Sequence, residues 1–307
     1  MSALPFTKMH GLGNDYVYVD GFEHAVDDPA SLARAVSDRH RGVGSDGLIL
    51  VMPPDPGVEA HVRMRMFNAD GSESEMCGNG VRCVCKFAID RGLATANPLR
   101  VQTGRGVLSL VWTAGPDDLV ESVRVDMGAP ILASERIPAK LAGLDPEAPV
   151  VGHRGLAGVL RAAIGDTAWG AIETVATLVS MGNPHLVLWC PSVERIDLRA
   201  IGPVLEHHAA FPARINVHLV EVIDRDHVRM RTWERGSGIT QACGTGACAV
   251  AVAGALEGRT HGAIRADLPG GTLALEWAGG ESSVFMTGPA TTVFEGTWQR
   301  SRVAVRS

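Results

Sequence analysis

Five residues occur twice in this chain. His61-Val-Arg-Met-Arg65 recurs letter for letter as His227-Val-Arg-Met-Arg231, an offset of 166 residues. Carried forward without a gap, the offset lays Cys77-Gly-Asn-Gly80 on Cys243-Gly-Thr-Gly246, and eight of the twenty positions from 61 to 80 are identical to their counterparts. Further upstream a second offset, 169, serves two motifs at once. Gly13-Asn14 before Tyr16-Val-Tyr-Val19 matches Gly182-Asn183 before Leu186-Val-Leu-Trp189, and Gly47 before Leu48-Ile-Leu-Val51 matches Asn216 before Val217-His-Leu-Val220. Self-similarity at a fixed spacing means that one supersecondary unit is built twice. At 307 residues each copy has enough chain for a core of its own.

The pattern inside the copies is mixed. Short β-branched or alternating runs predict strands at Tyr16–Val19, Leu48–Met52, His61–Phe67 and Leu99–Thr103. Asp28 followed by Pro29 reads as the N-cap and first position of a helix over 29–39, with a counterpart over 197–208. Residues 78–91 place Val81, Val84, Cys85, Ala88 and Ile89 on one helical face before Gly92. Residues 244–257 are small and apolar on nearly every face, so that helix must be surrounded. The expected fold class is therefore α/β: two pseudo-symmetric domains from an internal duplication, each a strand-rich unit wrapped around a central apolar helix. The first domain is expected over 1–118, with 293–307 returning to it, and the second over 119–292. The linker reads as Ala114-Gly-Pro-Asp-Asp118, and 131–170 as a loop interrupted by Pro and Gly.

Charge and composition narrow the function. The formal net charge is −6 and no block of Lys or Arg is present, so nucleic acid is not an expected partner. No apolar run reaches the length of a membrane span, and the opening residues lack a basic region and apolar core of a secretory signal. A cytoplasmic location is expected, and with it six free thiols. Cys83 and Cys85 form one C-x-C without a second ligand pair, which gives little support to zinc. Gly42-Val-Gly-Ser-Asp-Gly47 lacks the Lys-Ser/Thr ending of a phosphate loop and reads as a turn.

Chemistry concentrates at Cys77 and Cys243. Each stands directly before Gly-x-Gly and opens a predicted helix. A helix N-terminus offers unpaired N–H groups and partial positive charge, which bind a carboxylate and stabilise a thiolate. Two such ends facing one another would set two thiols on either side of an α-carbon: one removes a proton and the other delivers one to the opposite face. Cys83, Cys85, Cys190 and Cys248 have no such placement and read as small core residues.

The runs Asn68-Ala-Asp-Gly-Ser-Glu-Ser-Glu-Met-Cys-Gly-Asn-Gly80 and Glu234-Arg-Gly-Ser-Gly-Ile-Thr-Gln-Ala-Cys-Gly-Thr-Gly246 resemble the two signatures of the diaminopimelate epimerase family. His10-Gly-Leu-Gly-Asn-Asp15, Gly182-Asn-Pro-His185 and Val293-Phe-Glu-Gly296 fit the same resemblance, which runs from end to end. It implies a cofactor-independent epimerase of LL- and meso-diaminopimelate, with the active site in the interdomain cleft and Cys77 and Cys243 as the two catalytic groups. Gly78-Asn79 and Gly244-Thr245 are then the amides for the reacting carboxylate, and His185 and Glu234 lie near the reacting amine. Asn14, Asn68, Asn183, Asn216 and Arg235 hold the substrate, Arg235 at the distal carboxylate. No cofactor and no metal are expected. The expected partner is a small amino acid, and a homodimer stays open. One departure stands out: Gly47 lies where many members carry Gln. Three alternatives fit less well. A hydroxyproline epimerase has no need of Glu234-Arg235, a thiol redox protein would want a C-x-x-C partner, and an amino-acid binding module has no use for two matched thiols.

Overall fold

The computed structural model describes residues 3–74, 78–141 and 143–299. In chain order the elements are β1 (Ala3–Gly11), β2 (Asn14–Asp20), α1 (Pro29–Ser37), β3 (Gly47–Met52), β4 (Val62–Asn68), β5 (Glu73–Ser74), α2 (Gly78–Asp90), β6 (Leu99–Thr103), β7 (Gly106–Ala114) and β8 (Val120–Asp126). Then follow α3 (Arg154–Ile164), α4 (Asp166–Trp169), β9 (Ala176–Ser180), β10 (Pro184–Trp189), α5 (Leu198–Glu206), β11 (Asn216–Asp224), β12 (His227–Glu234), β13 (Gly238–Thr240), α6 (Gly244–Leu256), β14 (Ala263–Leu268), β15 (Gly271–Trp277), β16 (Val284–Pro289) and β17 (Thr291–Gln299). They form two compact units, 1–125 with 288–307, and 126–287.

Within the first unit β1 pairs antiparallel with β2, β2 runs parallel to β3, and β3 pairs antiparallel with β4. From there β4 runs parallel to β6, and β6 to β8 form an antiparallel meander whose last turn is Gly115–Asp118. The second unit repeats this order with β9, β10, β11, β12, β14, β15 and β16. Even the register is kept: Tyr16 faces Gly47 as His185 faces Asn216, and Leu48 faces Phe67 as Val217 faces Trp233. The sequence offsets of 169 and 166 are thus the register of one fold written twice. The first unit also carries β17, antiparallel to β1.

Each sheet is covered on both faces because its strands alternate. In the first unit Val17, Val19, Leu48, Leu50 and Phe67 pack with Ala33 and Val36 of α1. Residues one step out of phase, such as Tyr18, face α2, whose Phe87 ring lies 6.2 Å from that of Tyr18. In the second unit Leu186, Leu188, Val217 and Leu219 pack with Leu198, Ile201 and Leu205 of α5. The opposite phase faces α6, in which Gly244 and the run Gly246–Gly254 are buried, as its all-round apolar sequence requires. Asp28 and Asp197 cap α1 and α5 by accepting from backbone N–H groups in the first turn, again at an offset of 169. Both helices stop two residues short of expectation, at Ser37 and Glu206.

One reading is corrected. The stretch 131–170 contains a helix of 11 residues, α3, and is not simply a loop. Leu156, Ala157 and Leu160 are its buried face, and His153 caps it by accepting from Leu156 N–H at 2.9 Å. Gly155 and Gly158 hide that pattern from propensity reasoning, because glycine weakens a helix that tertiary packing then rescues.

Candidate active site

Cys243 is the N-cap residue of α6, with extended backbone (φ −122°, ψ 102°) and 5% exposure. Its Sγ lies 3.7 Å from the Thr245 hydroxyl, and Gly244 and Thr245 supply the first free backbone amides of the helix. From the β9–β10 turn, Asn183 Nδ2 donates to Thr245 Oγ1 at 3.3 Å. Two residues on, His185 Nε2 lies 2.9 Å from Asn183 Oδ1, and His185 Nδ1 lies 2.9 Å from His218 Nε2 on β11. His218 Nδ1 in turn lies 2.9 Å from Thr232 Oγ1 on β12. Both rings are fully buried. Burial drives His185 well below the usual imidazole range, and the neighbouring His218 and Arg235 push it the same way. Burial alone takes His218 down to about 3, so both imidazoles are neutral. A Cβ on Gly246 would stand 2.2 Å from His218 Cε1, so only glycine lets the first turn of α6 sit against that ring.

Asn216 opens β11 and is buried; its Nδ2 donates to Pro184 O at 2.8 Å and its Oδ1 accepts from Arg235 N–H at 3.0 Å. Arg235, just beyond β12, donates a guanidinium hydrogen to Ala213 O at 2.9 Å, and Glu234 Oε1 accepts from Thr240 Oγ1 at 2.6 Å. The second unit therefore joins Asn183, His185, Thr245 and Cys243 in one hydrogen-bonded set and ties Asn216 to Arg235. Glu234 is held against β13 by the Thr240 hydroxyl.

In the first unit Cys77 lies outside the described residues. Gly78 and Asn79 begin α2, and both are buried. Arg82, 0% exposed, donates to Gly78 O, Asn79 Oδ1 and Pro289 O, and so clips the first helical turn in place. Asn14 opens β2 after a two-residue turn in which Leu12 (φ 57°) and Gly13 (φ 82°) are both left-handed. Its Nδ2 donates to Asp46 Oδ2 at 2.7 Å. Around that contact Arg39 bridges Asp15 and Asp46, and Lys8 pairs with Asp15. Burial would raise Asp15, but Lys8 and Arg39 outweigh it and hold the carboxyl below the usual range. Asp46 is lifted instead, by burial and by the Asp15 charge, against the Asp15 amide, Arg39 and Asn14. Asn68 closes β4 and spends its Nδ2 on Ser72 Oγ at 2.9 Å.

Cys83, Cys85, Cys190 and Cys248 are buried and in no disulfide. Burial, with the Asp90 charge added, pushes Cys85 up to about 12, and burial pushes Cys190 up to about 11, as befits inert core residues. Among the described residues no helix is long and apolar enough to cross a membrane.

Four residues next to the expected site escaped the sequence reading: His218, Thr232, Asp46 and Arg82. For His218 a signal exists. At the 169 offset it replaces Ile49, itself 0% exposed, so a polar ring stands at a core position of the repeat.

Fold and sequence together define the class: a duplicated strand-rich α/β protein with a cysteine directly before each central helix. Solved structures share this fold. A phenazine biosynthesis protein of the PhzF family from Bacillus anthracis matches with a TM-score of 0.66 at 16% identity, over 97% of this chain and 100% of that one. A probable proline racemase from Agrobacterium radiobacter matches with a TM-score of 0.63 at 15% identity, over 98% and 94%. The chain belongs to the diaminopimelate epimerase family, whose model matches residues 6–133 and 177–293. It is 49% identical over 291 residues to the diaminopimelate epimerase of Acetivibrio thermocellus, covering 95% of this chain and 97% of the other. It is 48% identical over 299 residues to that of Desulforudis audaxviator, covering 97% and 100%.

Proposed function

We propose that the protein interconverts LL- and meso-diaminopimelate without a cofactor, one of the thiols of Cys243 and Cys77 removing the α-proton and the other delivering its own proton to the opposite face. Its family makes it an isomerase. The observation that carries the two-thiol reading is Cys243 at the N-cap of α6, with a hydroxyl on its sulfur, while its repeat counterpart Cys77 directly precedes α2.

In this reading a thiolate takes the α-proton from one face as the opposing thiol gives a proton to the other. Cleavage of the Cα–H bond leaves an electron pair that spreads into the carboxylate. The amides of Gly244-Thr245 and Gly78-Asn79 stabilise that growing charge without having to reorganise. Arg235 pairs with the distal carboxylate, for which a forked guanidinium is suited. Asn14, Asn68, Asn183 and Asn216 hold the amino-acid ends, and Glu234 faces the ammonium. His185 belongs to the same site through its contact with Asn183, although both of its ring nitrogens are engaged within its own unit. The working location is the cytoplasm, the ligand is the free amino acid, and a homodimer is compatible.

The test is α-proton exchange in deuterium oxide with purified protein and LL-diaminopimelate, no cofactor being added. Deuterium should enter the α-position as the meso isomer forms. Unchanged LL substrate free of deuterium would refute the proposal.

A further inference from the structure

The hydrogen bonds behind Cys243 have a direction. The Asn183 amide donates through Nδ2 to Thr245 Oγ1, so its Oδ1 is the atom facing His185 Nε2 and can only accept. His185 Nε2 therefore carries the hydrogen. Because burial keeps this ring neutral, its Nδ1 must accept, and His218 Nε2 must donate to it. His218 is neutral for the same reason, so its Nδ1 accepts in turn and the Thr232 hydroxyl donates. At the other end Thr245 already accepts from Asn183. Its own hydrogen is left to point onward, and the Cys243 sulfur lies 3.7 Å away. Each donor from Thr232 to Thr245 is aimed toward Cys243.

We propose that His218 is a positioning residue which, through His185, Asn183 and Thr245, fixes a hydroxyl donor on the Cys243 sulfur and so favours the thiolate. The proposal rests on the reading of Cys243 as one of the two bases. Bonds in such a chain polarise one another, and in a buried site the polarity is felt more than in water. Among the described residues the Arg235 cation bears on His185, where it reinforces the neutral state of the ring and of itself opposes no thiolate. In the first unit the same positions carry Met66 for Thr232, Ile49 for His218 and Tyr16 for His185. Met66 and Ile49 offer no hydrogen to pass on, so this support belongs to one thiol only.

His218 also fills the space under Gly246, and packing alone would make it sensitive to substitution. The experiment separates the two roles. Cys243 alkylation by iodoacetamide is followed against pH, resolved by peptide mapping, in full-length wild type, Thr232→Val, His218→Phe and His218→Gln. Phe keeps a ring without donors; Gln keeps an N–H donor without the ring; Val keeps the shape of Thr232 without its hydroxyl. The Cys243 titration midpoint should rise by about one pH unit in His218→Phe, by less in Thr232→Val, and return toward wild type in His218→Gln. Equal midpoints in all four proteins would overturn the proposal, as would His218→Gln shifting as far as His218→Phe. Epimerisation by Cys243→Ala, measured alongside, would remove Cys243 as a base while leaving the alkylation result to judge the chain by itself.

Discussion

The two units share a backbone register and differ in how they hold the same asparagine. Asn14 and Asn183 occupy equivalent positions, each entering the second strand of its sheet. Asn14 is held by a charged cluster, Asp46 with Asp15, Arg39 and Lys8, that is partly open to solvent. Asn183 is held by a neutral chain of two buried imidazoles and two hydroxyls. The contrast extends to the partner strand, where Gly47 has no side chain and Asn216 uses both ends of its amide. Duplication thus supplies a scaffold, and each copy then spends its polar residues differently. The second copy sets a hydroxyl against its cysteine, and the first steadies the entry to its sheet.

The comparison predicts unequal responses to mutation. The largest concerns Arg235, whose repeat counterpart is Ala69. Arg235→Ala should cost on the order of 2–5 kcal/mol in kcat/KM for diaminopimelate, because a buried carboxylate would lose its partner. An unchanged kcat/KM would remove Arg235 as the distal anchor.

Next comes acid. His185 and His218 are neutral when folded but protonate in the unfolded chain below about pH 6.5, so their contribution is present above that pH and lost as pH falls. With a folded value of about 3, His218 alone should withdraw about 3 kcal/mol of stability by about pH 4. Urea titrations across this range should show His218→Gln flattening the acid limb. An identical slope in wild type and variant would show that His218 is not neutral in the fold.

Smaller effects are expected at the paired strand starts. A Cβ on Gly47 would stand 2.1 Å from Phe67 O, so Gly47→Ala should destabilise by about 2 kcal/mol. Asn216→Gly should cost about the same by a different route, the loss of one buried and one part-buried hydrogen bond. Only the second should also raise KM, since Asn216 seats Arg235 and is itself proposed to hold substrate. If both variants leave KM alone, that tie has no bearing on substrate. The smallest effect is none at all: dialysis against EDTA should leave turnover intact, and loss restored by a metal would refute cofactor independence.

Periodicity and repetition made much of this legible. Two offsets in the letters are the strand registers of both sheets, and the composition of α6 told of its enclosure. What stayed hidden depends on partners far away in the chain. Nothing in the sequence marks Arg82, yet it is buried because Pro289 O and the first turn of α2 take its hydrogens. His218 reads as one polar letter in an apolar strand, and only Thr232 and His185, each on another strand, give it a role. In α3 two glycines conceal a helix that packing makes.

The central claim is that two thiols act on opposite faces of one α-carbon. Deuterium uptake into LL- and meso-diaminopimelate by Cys77→Ala and Cys243→Ala tests it directly. Each variant keeps one base and lacks the acid that completes inversion. Each should lose nearly all epimerisation yet exchange the α-proton of one isomer with retention, and the two variants should exchange different isomers. Substantial epimerisation by either variant, or exchange of the same isomer by both, would contradict the account.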